Sequence, residues 1–211
     1  MTASPDAVAR VLTPVPPAKP SSARRLAELG ARIPDYVDLI LLGDSLAAAW
    51  PSHLQGEAFP GRRVLNLGLP GDRIQNTLWR LRGGETAHLR PRELVLLLGT
   101  NNLGDGDPPD AIAAGLAAVL RRALSLWTGA RPLVVTVPRR GEPPGFREAD
   151  RLALNAALAA GLAGLAEAAI VDADAALAAT RDEEPSLMPD RLHISREGYV
   201  RLSRAMRVAL G

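Results

Sequence analysis

A chain of 211 residues, 47% of them hydrophobic, is long enough to bury one substantial core and short for two independent domains. Its formal net charge is only +2 and its basic residues are dispersed, which argues against nucleic acid as a partner. The absence of cysteine excludes disulfides, thiolate catalysis and cysteine-based zinc sites.

The first 20 residues contain five prolines, one aspartate and no sustained apolar stretch, so they do not resemble a secretory signal. We expect a flexible or surface-hugging lead-in over residues 1–20 and a single domain over residues 21–211. The longest weakly polar stretch, residues 152–170, carries Asn155 and Glu167 and suits a packed helix better than a membrane span. The sequence therefore favours a cytoplasmic protein.

Short apolar runs bounded by turn residues alternate with segments of helical periodicity, which is typical of a parallel α/β sheet. Strands are predicted over residues 37–42, 64–67, 94–98, 133–137 and 169–171. Helices are predicted over residues 22–32, 74–82, 110–127, 147–167 and 195–210. With right-handed crossovers, these elements predict a three-layer α/β/α sandwich with a five-stranded parallel sheet of flavodoxin-like topology.

The chemistry of such sheets is found outside the carboxyl ends of the strands. The first predicted strand runs into Ser45, the second into a glycine-containing turn that ends near Gly71, and the third into Asn101. Far downstream, just before the last predicted helix, His193 follows Asp190 by three positions. These polar residues are therefore expected to converge on one edge of the sheet.

Serine is a weak nucleophile until a base removes its proton, and histidine suits that task near neutral pH. His193 is the histidine whose neighbouring carboxylate, Asp190, can orient one ring nitrogen while the other faces the sheet edge. We therefore expect Ser45 to be the nucleophile, His193 the general base and Asp190 the orienting acid. His53 and His88 are expected to be exposed or capping residues.

Acyl transfer also requires donors aimed at the oxygen that becomes negative. Gly71 lacks a side chain, so its backbone N–H can approach the reacting carbon. The backbone N–H of Ser45 and the side-chain amide of Asn101 complete a predicted oxyanion hole of three donors. Asp172 and Asp174, which follow the fifth strand, stay open as alternative sources of the triad acid.

Ser45, Gly71, Asn101 and His193 match, in order, the four sequence blocks after which the SGNH (GDSL-type) hydrolases are named. The chain resembles this family over about residues 34–202. Within it, the chain is most similar to the branch of the catalytic subunits of intracellular brain-type platelet-activating factor acetylhydrolase. The motifs of this similarity are Gly43-Asp44-Ser45, the run from Asn66 to Asp72, Leu78-Trp79-Arg80-Leu81, the run from Gly99 to Asn102, residues 138–142, Asp190 with His193, and Gly198-Tyr199.

The resemblance implies a serine carboxylic-ester hydrolase that acts on small or short-acyl esters through an acyl-enzyme, with no cofactor and no metal. A carbohydrate O-deacetylase, a lysophospholipase and a thioesterase of the same family stay open as alternatives. A ligand-binding module on a hydrolase fold is the alternative without enzyme activity. The expected partner is a small-molecule ester, and a homodimer stays open.

The chain departs from the common family pattern after two of the blocks. Asn102 stands where many members have aspartate, and Arg73-Ile74 replaces the usual pair of threonines after Gly71-Asp72. Residues near the site are predicted to contact substrate, although the apolar ones are more often packing residues. The predicted substrate-binding residues are Leu46, Arg73, Asn102, Leu103, Leu192 and Ile194.

Two other kinds of site match parts of the sequence. A dinucleotide site would use the run from Asn66 to Gly71, but the first glycine of that motif is missing. A divalent-metal site would use Asp105 and Asp107, with Asp44 or Asp72, although acidic loops of this kind are usually turns. Neither is favoured over the ester hydrolase.

Overall fold

The sheet dominates the computed structural model, which describes residues 3–140, 147–162, 168–178, 190 and 192–211. The strands of these residues are β1 (Leu39–Gly43), β2 (Val64–Asn66), β3 (Glu93–Leu97), β4 (Arg131–Val135) and β5 (Ala169–Val171). All neighbouring strands are parallel, and their order is β2-β1-β3-β4-β5. The predicted five-stranded parallel sheet of flavodoxin-like order is therefore confirmed.

Helices precede, connect and follow the strands. Those of the described residues are α1 (Pro5–Leu12), α2 (Pro20–Gly30), α3 (Ser45–Ala48), α4 (Ser52–Ala58), α5 (Ile74–Arg80), α6 (Thr100–Gly104), α7 (Pro109–Leu126), α8 (Glu148–Leu162), α9 (Ala173–Ala176) and α10 (Arg196–Leu210). Within the described part of the chain, no helix is both long enough and apolar enough to cross a membrane.

The two faces of the sheet carry separate hydrophobic cores because successive strand residues point to opposite sides. Ile40 and Leu42 of β1 lie in a core with α5, α7 and α8, whereas Leu39 and Leu41 lie in a core with α4 and α10. All four side chains are fully buried. Burial of one such side chain contributes about 1.5–3 kcal/mol, so the strands need helices on both faces.

Helix α1 lies within residues 1–20, where the sequence analysis predicted no helix. Ser4 caps it, because its side chain accepts a hydrogen bond from Ala7 N, and Pro5 occupies the first turn. Val11 is fully buried, and its side chain packs where Gly115 of α7 leaves room. The described part of the lead-in is therefore attached to the helix layer by a packed hydrophobic face.

The predicted boundaries differ from the observed ones by a few residues. Strand β3 ends at Leu97 instead of residue 98, because Gly99 follows with φ of +120° and turns the chain out of the sheet. Helix α8 was predicted over residues 147–167 and spans Glu148–Leu162, while residues 163–167 lie outside the described residues.

Candidate active site

The turn after β1 holds Ser45 at the carboxyl end of the strand. Gly43 is required there, because a Cβ atom on it would stand 2.0 Å from Leu97 O of the neighbouring strand. Asp44 is the N-cap of α3 and its buried Oδ1 accepts a hydrogen bond from Leu46 N at 2.9 Å. Ser45 is the first residue of the helix and is partly exposed. The cap therefore presents the serine hydroxyl at the edge of the sheet.

The loop before α10 brings His193 to Ser45. His193 Nε2 lies 3.2 Å from Ser45 Oγ, and His193 Nδ1 lies 2.6 Å from Asp190 Oδ2. A carboxylate can only accept, so Nδ1 carries the proton of a neutral ring and Nε2 is left to accept from the serine hydroxyl. The three side chains thus form a hydrogen-bonded line in the order that proton removal from serine requires.

The carboxylate of Asp190 also bonds to the backbone of the loop. Its Oδ1 accepts from Leu192 N at 3.0 Å and from His193 N at 2.6 Å. The hydrogen bond from the His193 ring, with smaller contributions from these N–H groups, lowers the pKa of Asp190 to about 2. Asp190 is therefore ionised at neutral pH and fixes the orientation of the ring.

The glycine-rich turn after β2 joins the serine turn by backbone contacts. Leu69 N donates to Gly43 O at 3.0 Å, and a Cβ atom on Gly68 would stand 2.3 Å from Ala48 N. Gly71 has φ of +71°, in the left-handed region that favours glycine. Within the described residues, the N–H groups of Gly71 and Ser45 donate to no acceptor, so both are available to a ligand.

Asn101, which follows the next strand along the chain, is bonded to the same turn. It lies in α6 after β3, and its Nδ2 donates to Asp72 O at 2.9 Å. One amide proton is thereby used to fix the side chain, and the second is left for another acceptor. The structure therefore brings the turns of Ser45, Gly71 and Asn101 together through hydrogen bonds.

A buried carboxylate pair beneath these turns was not anticipated from the sequence. Burial, with a smaller contribution from the neighbouring Asp72 carboxylate, raises the pKa of Asp44 to about 7 against the hydrogen bond from Leu46 N. Burial also raises the pKa of Asp72, while Arg80 opposes this with a salt bridge of 2.5 Å between Arg80 Nη2 and Asp72 Oδ2. No sequence spacing signals that these two buried aspartates interact electrostatically.

Four of the six predicted substrate-binding residues are buried, which corrects that expectation. Leu46, Leu103 and Ile194 are 1%, 2% and 6% exposed and belong to the two cores, so they pack against neighbours and offer a ligand no surface. Asn102 is fully buried; its Oδ1 accepts from Ile74 N at 3.0 Å. It ties α6 to α5 and is a structural residue.

The other two predicted substrate-binding residues remain near the surface. Arg73 forms a bidentate salt bridge with Asp105, and its Nη1 also donates to Gly71 O at 3.2 Å. Leu192 is partly exposed beside His193. Arg73 therefore lies at the rim of the site with its charge already paired.

The remaining acidic candidates have other partners. Asp172 caps α9, and Asp174 accepts from the buried Arg151 at 2.7 Å between Nη2 and Oδ2. Asp107, proposed above as a metal ligand, accepts from Arg10 and from Asn102. Among the described residues, the carboxylate at the His193 ring is that of Asp190.

The two other histidines lie on the surface and away from this line. His53 is exposed in α4, and His88 Nε2 lies 3.2 Å from Pro34 O. Both positions are those of ordinary surface histidines.

Comparison with known proteins places this chain among ester hydrolases. The sequence profile of the GDSL-like lipase/acylhydrolase family matches residues 41–201. The alpha1 subunit of platelet-activating factor acetylhydrolase IB from Rattus norvegicus is 33% identical over 172 residues, which cover 80% of this chain and 73% of the relative.

Solved structures share the fold at lower identity. A GDSL-like lipase from Bacteroides thetaiotaomicron superposes with a TM-score of 0.69 at 19% identity, covering 90% of this chain and 96% of the other. A carbohydrate acetylesterase from Sinorhizobium meliloti superposes with a TM-score of 0.67 at 16% identity, covering 82% and 97%. At these identities the superpositions show the common fold.

Proposed function

Since this chain belongs to the GDSL-like lipase/acylhydrolase family and is an ester hydrolase, we propose that it cleaves short-acyl carboxylic esters by a serine acyl-enzyme mechanism. The observation that carries the proposal is the line of hydrogen bonds from Asp190 through His193 to Ser45. The acetylhydrolase relative, at 33% identity, supports the short acyl group.

The proposed reaction begins when His193 Nε2 takes the proton of Ser45 Oγ and the oxygen attacks the ester carbonyl. The carbonyl oxygen becomes negative and accepts from the N–H groups of Ser45 and Gly71 and from the Asn101 amide. Collapse of this intermediate expels the alcohol, which takes the proton from His193. Water then repeats both steps on the acyl-enzyme and releases the acid.

The arrangement of the oxyanion donors supports their role because each donor is fixed before substrate arrives. Asn101 is held by Asp72 O, and the turn that contains Gly71 is bonded to the serine turn by the hydrogen bond from Leu69 N to Gly43 O. Donors that need no reorganisation stabilise developing charge most effectively, and loss of one costs about 3–4 kcal/mol of activation free energy.

The proposal is tested by replacing the nucleophile. Ser45→Ala is expected to lower kcat for phenyl acetate by several orders of magnitude and to abolish labelling by a fluorophosphonate probe, because no other hydroxyl lies at His193 Nε2 within the described residues. Ser52→Ala, at an exposed serine of α4, is the matched control and keeps both activity and labelling. Undiminished turnover in a contamination-free Ser45→Ala preparation would reject the mechanism.

Other properties expected from the sequence stay predictions. These are the cytoplasmic location, the homodimer and the choice between a simple ester and the substrates of an O-deacetylase, lysophospholipase or thioesterase. A panel of esters that varies the acyl and alcohol parts separately distinguishes a simple esterase from an O-deacetylase, a lysophospholipase and a thioesterase.

A further inference from the structure

Lys19 is the only lysine in the sequence, and its side chain lies against Gly71. A Cβ atom on Gly71 would stand 2.8 Å from Lys19 Nζ and 2.8 Å from Lys19 Cδ. The ammonium group therefore covers the Cα of the glycine whose N–H we place in the oxyanion hole. Glycine at this position both adopts the positive φ and leaves room for the lysine.

The backbone on both sides of Lys19 is fixed to the active-site turn. We call residues 13–19 the strap. Val15 N donates to Gln75 O at 3.2 Å, and Asn76 Nδ2 donates to Val15 O at 3.1 Å, which fastens the strap to α5. Beyond Lys19, Ser22 Oγ donates to Pro70 O at 2.7 Å. Lys19 is therefore placed beside Gly71 by contacts that precede and follow it.

The charge of Lys19 has no counterion among the described residues, whereas the other cations of this region are paired. Arg73 forms a bidentate salt bridge with Asp105, and Arg80 is bonded to the buried Asp72. Lys19 is exposed and forms neither an ion pair nor a hydrogen bond through its side chain with any described residue. One uncompensated positive charge thus stands beside Gly71.

A groove of about 220 Å³ lies between the strap and the start of α5, and Lys19, Gly71 and Arg73 line it. A substrate group that extends from a carbonyl held at Gly71 into this groove meets the Lys19 ammonium. An anionic group gains attraction there, and a neutral group of the same size gains none.

We propose that Lys19 forms an anion subsite beside Gly71, and that the protein prefers esters that carry a carboxylate or phosphate close to the reacting carbonyl. This inference rests on the proposed function, because it uses the role of Gly71 in the oxyanion hole. It adds a substrate class, anionic esters, and a residue that selects it.

The test compares charged and neutral esters of the same shape. One pair varies the alcohol part, 3-carboxyphenyl acetate against 3-carbamoylphenyl acetate, and the other varies the acyl part, phenyl hemisuccinate against phenyl succinamate. The wild-type protein is expected to prefer the charged member of at least one pair by about three- to tenfold in kcat/KM, the effect of one exposed charge. The pair that shows the preference identifies the part of the ester that enters the groove.

Variants assign the preference to Lys19. Lys19→Met is expected to bring the charged-to-neutral ratio to about one by raising KM for the charged ester, Lys19→Arg keeps the preference, and Lys19→Glu reverses it. Arg24→Met, at an exposed cation of α2, is the matched control and leaves the ratio unchanged. Raising the ionic strength from about 0.01 M to about 0.15 M shrinks the wild-type preference, because the Debye length falls from about 30 Å to about 8 Å.

Two outcomes overturn the inference. One is a wild-type protein with no charge preference in either pair, or with a preference that Lys19→Met leaves unchanged. The other is an equal loss of kcat for both members of a pair in Lys19→Met, which would make Lys19 a donor to the oxyanion and not a selector of anions. In both cases the wild-type protein is still labelled at Ser45 and still hydrolyses phenyl acetate, whereas failure of the proposed function removes both.

Discussion

Asp190 accepts three hydrogen bonds, and all of them come from residues within three positions of it in the chain. The contact between Asp190 and His193 is therefore local, as the Asp-x-x-His spacing allows. Asp174 is far from this role because its carboxylate accepts from the buried Arg151. The two carboxylates therefore have different partners, the His193 ring for Asp190 and the guanidinium of Arg151 for Asp174.

Replacement of the two aspartates separates catalysis from stability. Asp190→Asn is expected to lower kcat by about 10⁴-fold because the amide no longer holds the productive tautomer of His193. Asp174→Asn is expected to lower the melting temperature and to leave kcat within about threefold, because it weakens an ion pair of a buried arginine. Steady-state kinetics and thermal unfolding of both variants check this, and equal losses of kcat would contradict the assignment.

The low pKa of Asp190 means that this group does not titrate in the pH range in which activity is measured. A carboxyl with a pKa of about 2 stays ionised throughout the range in which the protein is assayed. If kcat/KM of the wild-type protein falls as the pH is lowered towards about 4, protonation of Asp190 is therefore not the cause.

Asp44 behaves in the opposite way because its pKa in the folded chain is raised from 3.8 to about 7. Between these values the folded chain holds a proton that the unfolded chain has lost. This group therefore makes the free energy of unfolding decrease as pH rises from about 4 to about 7, with no further change above. The size of the effect is on the order of a few kcal/mol.

Asp44→Asn is expected to remove this dependence. The difference in unfolding free energy, variant minus wild type, should rise from pH about 4 to about 7 and then level off, whatever its absolute offset. Urea unfolding across this pH range measures it, and Asp35→Asn at an exposed site serves as the control. Parallel curves for Asp44→Asn and wild type would show that Asp44 does not titrate in the window.

Among the elements, α1 and α7 approach each other most closely at a glycine. A Cβ atom on Gly115 would stand 2.6 Å from Val11 Cγ1 and 2.8 Å from Ile74 Cγ2. Both neighbours are fully buried, so neither has free space into which to move. Gly115 is therefore a packing position, where helix propensity and tertiary contact oppose each other.

Gly115→Ala is expected to destabilise the protein by about 1–3 kcal/mol through overpacking, even though alanine favours helix by about 1 kcal/mol. Gly56→Ala in α4, where a Cβ atom meets nothing within 4 Å, is the matched control and should stabilise by about 0.5–1 kcal/mol. Urea unfolding of both variants measures the difference. Stabilisation by both would mean that α1 does not pack on α7 as described.

The strands were predictable from the sequence because each is a short unbroken apolar run. The longer helices were predictable because their apolar residues recur with helical periodicity. Helix α1 was not predictable, because it has only eight residues and lies in a segment with five prolines, so its periodic signal is weak. Gly115, against which it packs, is also over a hundred positions away. The Asp-x-x-His pair is local and was found. The burial of Leu46, Leu103 and Ile194 depends on which face each helix turns to the sheet, which single positions do not reveal.

In the whole molecule, the N-terminal segment packs on the helices that cover one face of the sheet. Helix α1 packs on α5 and α7, and the strap then runs past α5 to Gly71. The wall of the proposed site is thus built from residues that are distant in sequence, as expected for a site at the carboxyl edge of a parallel sheet. Leu46 and Ile194, which are near Ser45 and His193 in sequence, belong to the core on one face of the sheet.

The acyl group that such a site accepts is therefore expected to be short. A tunnel that buried the acyl chain would add about 0.8 kcal/mol for each methylene, and activity would climb steeply with chain length. Leu46, Leu103 and Ile194 are at most 6% exposed, so within the described residues they provide no apolar surface for such a chain. The groove beside Gly71 is lined by Lys19 and Arg73 together with small apolar residues of the strap.

We expect kcat/KM for aryl esters to be highest from acetyl to butyryl and to fall by octanoyl, because the added methylenes stay in water and gain no burial energy. The series is measured below the micelle threshold of each ester, with Ser45→Ala subtracted at every length to remove background hydrolysis. Phenyl acetate and phenyl butyrate hold the leaving group constant, so the trend reports the acyl part alone. A maximum at decanoyl or longer would show that an apolar acyl site opens near Ser45, and it would overturn the short-acyl proposal without touching the assignment of Ser45, His193 and Asp190.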